Sequence, residues 1–235
     1  PMAGQGVPAV RIDPPRPAES LPGYREGLYS IQDVGAQLAA MWLAPEDGER
    51  VLDACAAPGG KAAHLLELGA IDLVALDQDA GRLSQLDRNV ARLGLVGGDG
   101  ERSTVTAHVA DCRDIERWWD GRPFDRILAD VPCSGSGAIR RHIDMLWLKR
   151  DGDIANLVSV QAEILGSLWR TLAPGGRLLY VTCSLFPEEN GEQLAAFLAR
   201  HTDARVEPIA GEVGLQLLPG PSHDGFFYAR LRKLG

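Results

Sequence analysis

The stretch Val51-Leu52-Asp53-Ala54-Cys55-Ala56-Ala57-Pro58-Gly59-Gly60-Lys61 constrains this chain more than any other. Val51 and Leu52 begin an apolar strand, Asp53 to Pro58 form a turn of small residues, and Gly59-Gly60 allow close backbone approach before a helix opens at Lys61. Small residues between a buried strand and a helix leave backbone N–H groups facing a crevice, where a helix N-terminus favours a carboxylate or a phosphate. A ligand is expected at this turn.

Three cofactor patterns compete for it. The dinucleotide fingerprint needs G-x-G-x-x-G and the P-loop needs G-x-x-x-x-G-K-[ST]; here there are only Gly59 and Gly60, and Ala62 follows the lysine, so neither fits. An acid near the turn and a second acid at the end of the next strand also suit the amino-acid and ribose ends of S-adenosylmethionine. Asp77 follows the apolar run Leu73-Val74-Ala75-Leu76 and can accept from both ribose hydroxyls. It can equally end a strand and cap the following helix.

The rest of the chain alternates strand and helix patterns. A helix is expected over 31–43, then strands over 50–54, 72–77, 104–110, 124–129 and 177–182. Between them fall helices over 61–68, 80–93 and 154–171, a short helix carrying Trp118 and Trp119, and a Pro174-Gly175-Gly176 turn. A helix over 188–200 and a hairpin of strands over 215–218 and 226–231 close the chain. The first helix is expected on the sheet edge. This order predicts an α/β fold: a seven-stranded, mostly parallel sheet with a C-terminal antiparallel hairpin and helices on both faces. Ligands in such folds bind beyond the carboxyl ends of the strands.

Those ends carry Cys55, Asp77, Asp111, Asp130 with Cys133, and Cys183. A single strand-end cysteine reads most simply as a small buried hydrophobe. Two of them at neighbouring exits beside Asp130, their strands about 4.8 Å apart, point instead to chemistry on one substrate. Carbon 5 of cytosine is a poor nucleophile, and a thiolate adding at carbon 6 makes it enamine-like. A second group must then help expel the thiolate, and an acid at the ring edge can stabilise the charge that develops. The residues alone leave open which thiol attacks.

With 235 residues, 45% hydrophobic and 24% charged, the chain can build one large core. No apolar run reaches membrane-span length and no signal peptide opens it, so a soluble, cytoplasmic protein with no membrane partner is expected. Its four cysteines contain no C-x-x-C pair, which suggests neither a disulfide framework nor a metal site. The net charge of -8 argues against a nucleic-acid partner. Local clusters run the other way: Arg140, Arg141, His142, Lys149 and Arg150, and near the start Arg11, Arg16 and Arg25. Each is either a solvated face or an RNA contact.

Three blocks carry a family resemblance: Asp53-Ala54-Cys55-Ala56-Ala57-Pro58-Gly59-Gly60-Lys61; Asp130-Val131-Pro132-Cys133-Ser134-Gly135-Ser136-Gly137; and Thr182-Cys183-Ser184 followed by Pro187-Glu188-Glu189-Asn190. From about Tyr29 onward the chain resembles the Sun/Fmu (Nop/Sun) RNA cytosine-5 methyltransferases. The run from Ile139-Arg140-Arg141-His142 to Trp147-Leu148-Lys149-Arg150 draws it towards the branch acting on bacterial 16S ribosomal RNA.

The resemblance implies a class I, Rossmann-like methyltransferase using S-adenosyl-L-methionine on RNA, most simply 16S rRNA, as a monomer. Cys55, Ala56, Ala57, Pro58, Gly59, Gly60 and Lys61 would hold the methionine end, Asp77 the ribose and Asp111 the adenine edge. Asp130 would lie between cofactor and cytosine with Lys61 ordering the pocket beside it, Cys183 would be the nucleophile, and Cys133 would assist release. The chain departs from the family at Ala62, Val131, Ile143 and Gly191, where Thr, Ala, Pro and Glu are usual; no reactive atom is lost. Relatives carry an N-terminal RNA-binding module, so the Pro- and Gly-rich residues 1–27 are expected to be an extended lead-in from a truncated module, with the catalytic domain over 28–235. The alternative is a non-catalytic RNA-docking module for ribosome assembly, built on the same fold.

Overall fold

The apolar runs become strands because each can bury both faces between layers of helix. In the computed structural model, which describes residues 10–97, 103–141, 150 and 152–235, they are β1 (Arg50–Asp53), β2 (Asp72–Asp77), β3 (Thr104–Val109), β4 (Phe124–Asp130) and β5 (Leu172–Thr182). They pair in parallel in the order β3-β2-β1-β4-β5. Alternation sends Leu52 into the core on one face and Val51 into the core on the other, and both are fully buried.

Among the described residues the α-helices are α1 (Val34–Leu43), α2 (Gly60–Leu68), α3 (Ala80–Leu93), α4 (Ile115–Trp118), α5 (Asp153–Thr171) and α6 (Gly191–Arg200). Three antiparallel strands complete the sheet. β8 (Phe226–Lys233) pairs with β5, β6 (Ala204–Glu207) extends the sheet beyond β8, and β7 (Leu215–Leu217) also pairs with β8. All seven strands expected from the sequence are present, including the hairpin of β7 and β8, and β6 is one more.

Some details differ from expectation. α1 crosses the middle of the sheet rather than its edge: Leu38, Ala39, Ala40 and Leu43 join a core cluster with Leu128, Leu179 and Tyr228. Small residues allow that close approach, and the Tyr228 hydroxyl donates to the Gly35 carbonyl at 2.6 Å. Asp33 rather than Ile31 starts α1, its carboxylate accepting from the Gly35 N–H at 2.8 Å. The Pro174-Gly175-Gly176 turn is absorbed into β5 as an irregularity, where the pairing jumps from Phe124↔Leu172 to Arg126↔Arg177. The helix expected over 188–200 is broken into a 3-10 turn, Pro187–Glu189, and α6, with Asn190 between them at φ -116 and ψ -103.

Before α1, residues 10–17 have no regular structure and a 3-10 turn spans Ala18–Ser20. Residues 21–28 fold into hydrogen-bonded turns, not the extended lead-in expected through residue 27; the Leu28 N–H, for example, donates to the Gly23 carbonyl at 3.0 Å. They are tied down by Arg92 at the end of α3. Its guanidinium donates to the carbonyls of Tyr24 and Tyr29 and lies 4.0 Å from the centre of the Tyr24 ring.

Candidate active site

Because β4 pairs with β1 on one side and β5 on the other, the exits of three neighbouring strands open together. A cavity of about 330 Å³ lies there, lined by Asp53, Cys55, Ala56, Ala57, Pro58, Gly60, Lys61, Asp130 and Cys183, with Asp33, Ala138, Arg141 and Phe226 on its other sides. The turn leading into α2 needs glycine at Gly59: its φ is 102°, and a β-carbon there would sit 2.8 Å from Cα of Leu86.

The two thiols expected to share a substrate meet. Cys133 Sγ lies 3.4 Å from Cys183 Sγ, and both residues are half-buried. The Cys183 backbone N–H donates to Cys133 Sγ at 3.3 Å. The hydrogen bond from Cys133, and the Lys61 ammonium nearby, draw the Cys183 thiol below its ordinary value against the opposing effects of burial and Asp130. Cys133 moves the other way, raised well above its ordinary value by its bond to Cys183 and by burial. Cys183 is the one that lines the cavity.

Lys61 Nζ sits 2.6 Å from Asp130 Oδ2. Burial pulls its ammonium down, but Asp130, Asp53 and Cys183 outweigh that and leave it raised, hence charged. Asp53 is different. It is 1% exposed, and among the described residues neither carboxyl oxygen has a hydrogen-bond partner. Burial, then Asp130, push its carboxyl up to about 7.

The remaining expected site residues stand around this centre. Asp77, at the exit of β2, is 7% exposed and accepts from the N–H groups of Ala57 at 3.2 Å and Asp79 at 2.9 Å. Asp111, beyond β3, is gripped by the side chain and backbone of Arg113, which holds its carboxyl below the usual range. Neither Asp77, Asp111, Gly59 nor Cys133 lines the cavity itself.

Residues 40–232 match the family described as 16S rRNA methyltransferase RsmB/F. The chain belongs to the RsmB/F family. It is 48% identical over 229 residues to the ribosomal RNA small subunit methyltransferase B of Klebsiella pneumoniae, covering 96% of this chain and 51% of that protein. The chain thus spans about half the length of the curated relatives it matches. Among solved structures it is similar to a methyltransferase homolog protein from Pyrococcus horikoshii, with a TM-score of 0.78 and 30% identity over 94% of this chain and 73% of that one. It is also similar to NSun6 from the same organism, solved with SFG, with a TM-score of 0.78 and 27% identity over 94% of this chain and 57% of that one. The Rossmann-like methyltransferase fold is therefore established.

Beyond its thiols, this RsmB/F-family site holds a lock that the sequence did not announce. The Glu189 carboxylate, fully buried, accepts from the Ser134 N–H at 2.8 Å, Gln161 Nε2 at 2.9 Å and the Ser184 hydroxyl at 2.5 Å. It thereby ties the segments after both cysteines to α5. Asn190 adds bonds to the Thr182 hydroxyl and the Ser184 carbonyl, and the Gly137 N–H donates to the Cys183 carbonyl at 2.8 Å.

The basic segment reads differently in space. Arg140 and Arg141 both bind Asp224, a fully buried carboxylate, and Arg140 also reaches Asp33 at 3.3 Å. They anchor the loop before β8 against the start of α1, although Arg141 also faces the cavity. Arg150 is exposed, its backbone N–H donating to Asp153. His142, Ile143 and Lys149 lie outside the described residues.

Proposed function

We propose that residues 28–235 form the catalytic unit of an enzyme that transfers a methyl group from S-adenosylmethionine to carbon 5 of a cytosine in 16S ribosomal RNA. The observation that carries this reading is the pair of sulfurs 3.4 Å apart beside the cavity that also holds Lys61 and Asp130.

The residues present fit the cofactor. α2 opens onto the cavity at Gly60 and Lys61 with N–H groups suited to a carboxylate, and the unpartnered Asp53 carboxyl suits a cation. Cys55 to Lys61 would hold the methionine end, Asp77 the ribose and Asp111 the adenine edge. When bound, S-adenosylmethionine supplies a methyl group activated by its sulfonium.

Cys183 is the nucleophile. Its sulfur, held towards the thiolate by Cys133 and Lys61, forms a bond to carbon 6 of the pyrimidine while the C5–C6 electron pair moves onto carbon 5. Asp130, held by Lys61, is placed to hydrogen-bond the ring edge, and the ammonium offsets the electron density pushed into the ring. After carbon 5 is methylated its proton passes to a water molecule, the C–H pair restores the double bond, and the S–C6 bond breaks with the pair returning to sulfur. Cys133, protonated and in contact with the departing sulfur, stabilises it as it leaves.

The test is incubation of the protein, joined to the N-terminal part its relatives carry, with labelled cofactor and 16S rRNA, followed by bisulfite mapping. Label at carbon 5 of a defined cytosine is expected. Binding of the RNA without transfer at stoichiometric enzyme would favour the docking module instead.

A further inference from the structure

We propose that the arginine-rich cleft formed by β5, β8 and β6, at the end of the sheet opposite the thiols, binds the phosphate backbone of the substrate RNA away from the reacting base. The inference rests on the reading of the chain as an RNA methyltransferase and adds a place where RNA outside the cavity is held.

The pairing register lays four arginines side by side. Arg126 of β4 pairs with Arg177 of β5, Arg177 with Arg232 of β8, and Arg232 with Arg205 of β6. Arg230, two residues from Arg232 on the same strand, shares their face. Like charges directly opposite one another on neighbouring strands are destabilising, so such a row needs anions beside it. At its inner end they are present. The Arg126 side chain, 8% exposed, is held by Glu46 at 3.1 Å and Glu49 at 2.8 Å. At its outer end they are too few. Glu207 serves Arg177 at 2.8 Å, Arg230 at 3.2 Å and Arg232 at 3.6 Å, and among the described residues the exposed Arg205 has no acidic partner.

Arg177, Arg205, Arg230, Arg232 and Lys233 line an open cleft of about 650 Å³, with Glu207 the one acidic side chain among the described residues on its wall. Lys233 donates to the carbonyls of Trp169 and Leu172, and Arg230 to those of Trp42 and Pro208; these bonds fix the cations without cancelling their charge. In a chain of net charge -8 this is a local field of the opposite sign. What fits it is a row of anions, and guanidinium forks match phosphate. With strands about 4.8 Å apart, Arg177, Arg232 and Arg205 span about 10 Å, the scale of neighbouring phosphates on one strand.

Position favours RNA over an acidic peptide. Arg177 alternates onto the sheet face of Leu179 and Val181, against which Cys183 also packs, so cleft and nucleophile open on one side of the sheet. α1 runs between them, with its cap Asp33 on the cavity and its Trp42 carbonyl bound to Arg230. From Arg177 to Cys183 the strand rises about 20 Å. An RNA whose base enters the cavity has its flanking backbone within that reach.

The experiment measures binding of 16S rRNA across a salt series, with methyl-transfer kinetics on the same RNA, by the protein joined to the N-terminal part its relatives carry. Arg205→Ala/Arg232→Ala should raise Kd about tenfold at about 0.1 M salt and flatten the slope of log Kd against log salt by about 1.5, for two lost phosphate contacts. KM for the RNA should rise in step, with kcat at saturation within about twofold, since no group at the reacting atoms is altered. Arg205→Lys/Arg232→Lys keeps both charges and should restore the slope. Arg88→Ala/Arg117→Ala, the same loss of charge at exposed positions of α3 and α4, should leave slope and KM unchanged. Wild-type slope and KM in Arg205→Ala/Arg232→Ala, or an equal change in Arg88→Ala/Arg117→Ala, overturns the proposal while leaving RNA methylation standing. So does loss of binding to a poly-glutamate peptide with RNA binding intact, which would make the cleft a docking site for protein. Absence of both RNA binding and transfer in the wild type overturns the reading and the proposal together.

Discussion

Two pairs of cysteines stand at the strand exits, and each sends one member, Cys183 or Cys55, to the wall of the same cavity. Cys133 and Cys183 stand at the exits of β4 and β5, their sulfurs in contact; Cys55 and Cys112 stand beyond β1 and β3, with Cys55 packed against the core cluster that holds Cys112. In each pair one thiol is raised and the other lowered by its neighbour. The difference lies in which sulfur meets the cavity. In the first pair it is Cys183, the lowered one, with the Lys61 ammonium beside it. In the second it is Cys55, raised well above its ordinary value by Cys112 and by burial, while the lowered Cys112 is 3% exposed in the core. A thiol at a strand exit is thus not enough; access and ionisation must fall on the same atom.

The sharpest way to break this contrast is Cys183→Ala against Cys55→Ala. The first should lower methyl transfer by at least about a thousandfold, because the covalent route is lost. The second should act mainly on cofactor affinity and leave turnover at saturation within about threefold. Transfer assays with full titration of the cofactor separate the two.

A stability test comes next. Glu189→Ala removes the acceptor for three buried donors that hold the segments behind Cys133 and Cys183, and should destabilise the chain by about 3 kcal/mol or more in urea unfolding.

Lys61→Met should slow iodoacetamide alkylation of Cys183 about tenfold at neutral pH, measured by peptide mass spectrometry, and leave Cys55 unchanged. The smallest effect is the pH profile of the wild type. Cys183 is lowered in the fold, so its thiolate persists and its alkylation continues as pH falls below the ordinary thiol value of 9.0, whereas Cys55 should react only above it. Equal midpoints for the two would erase the distinction.

Much of this was legible in the chain. Apolar runs separated by helical patterns gave β1 to β5 and their parallel pairing, though not the order in which they lie in the sheet, and the three cysteine-bearing blocks lie at the exits where ligands bind. β6 was not legible, because Ala204-Arg205-Val206-Glu207 is short and half charged, and pairing with β8 supplies what its own pattern lacks. The sequence of α1 shows an apolar stripe but not that it covers β4, β5 and β8 in the middle of the sheet. The Glu189 lock was hidden for a different reason. Its partners Gln161 and Ser134 lie 28 and 55 residues away, and the acid stands in a Pro-Glu-Glu run that reads as exposed. Asp53 was visible as part of its block, but its lack of a partner is a property of the packed interior alone.

The central claim is that the sulfur of Cys183, not that of Cys133, bonds to the pyrimidine. The direct measurement is denaturing electrophoresis, with mass-spectrometric mapping, of RNA adducts formed by Cys133→Ala and Cys183→Ala in the presence of S-adenosylmethionine. Cys133→Ala should accumulate a covalent protein–RNA species mapped to Cys183, and Cys183→Ala should form none. An adduct that forms in Cys183→Ala and maps to Cys133 would contradict the account.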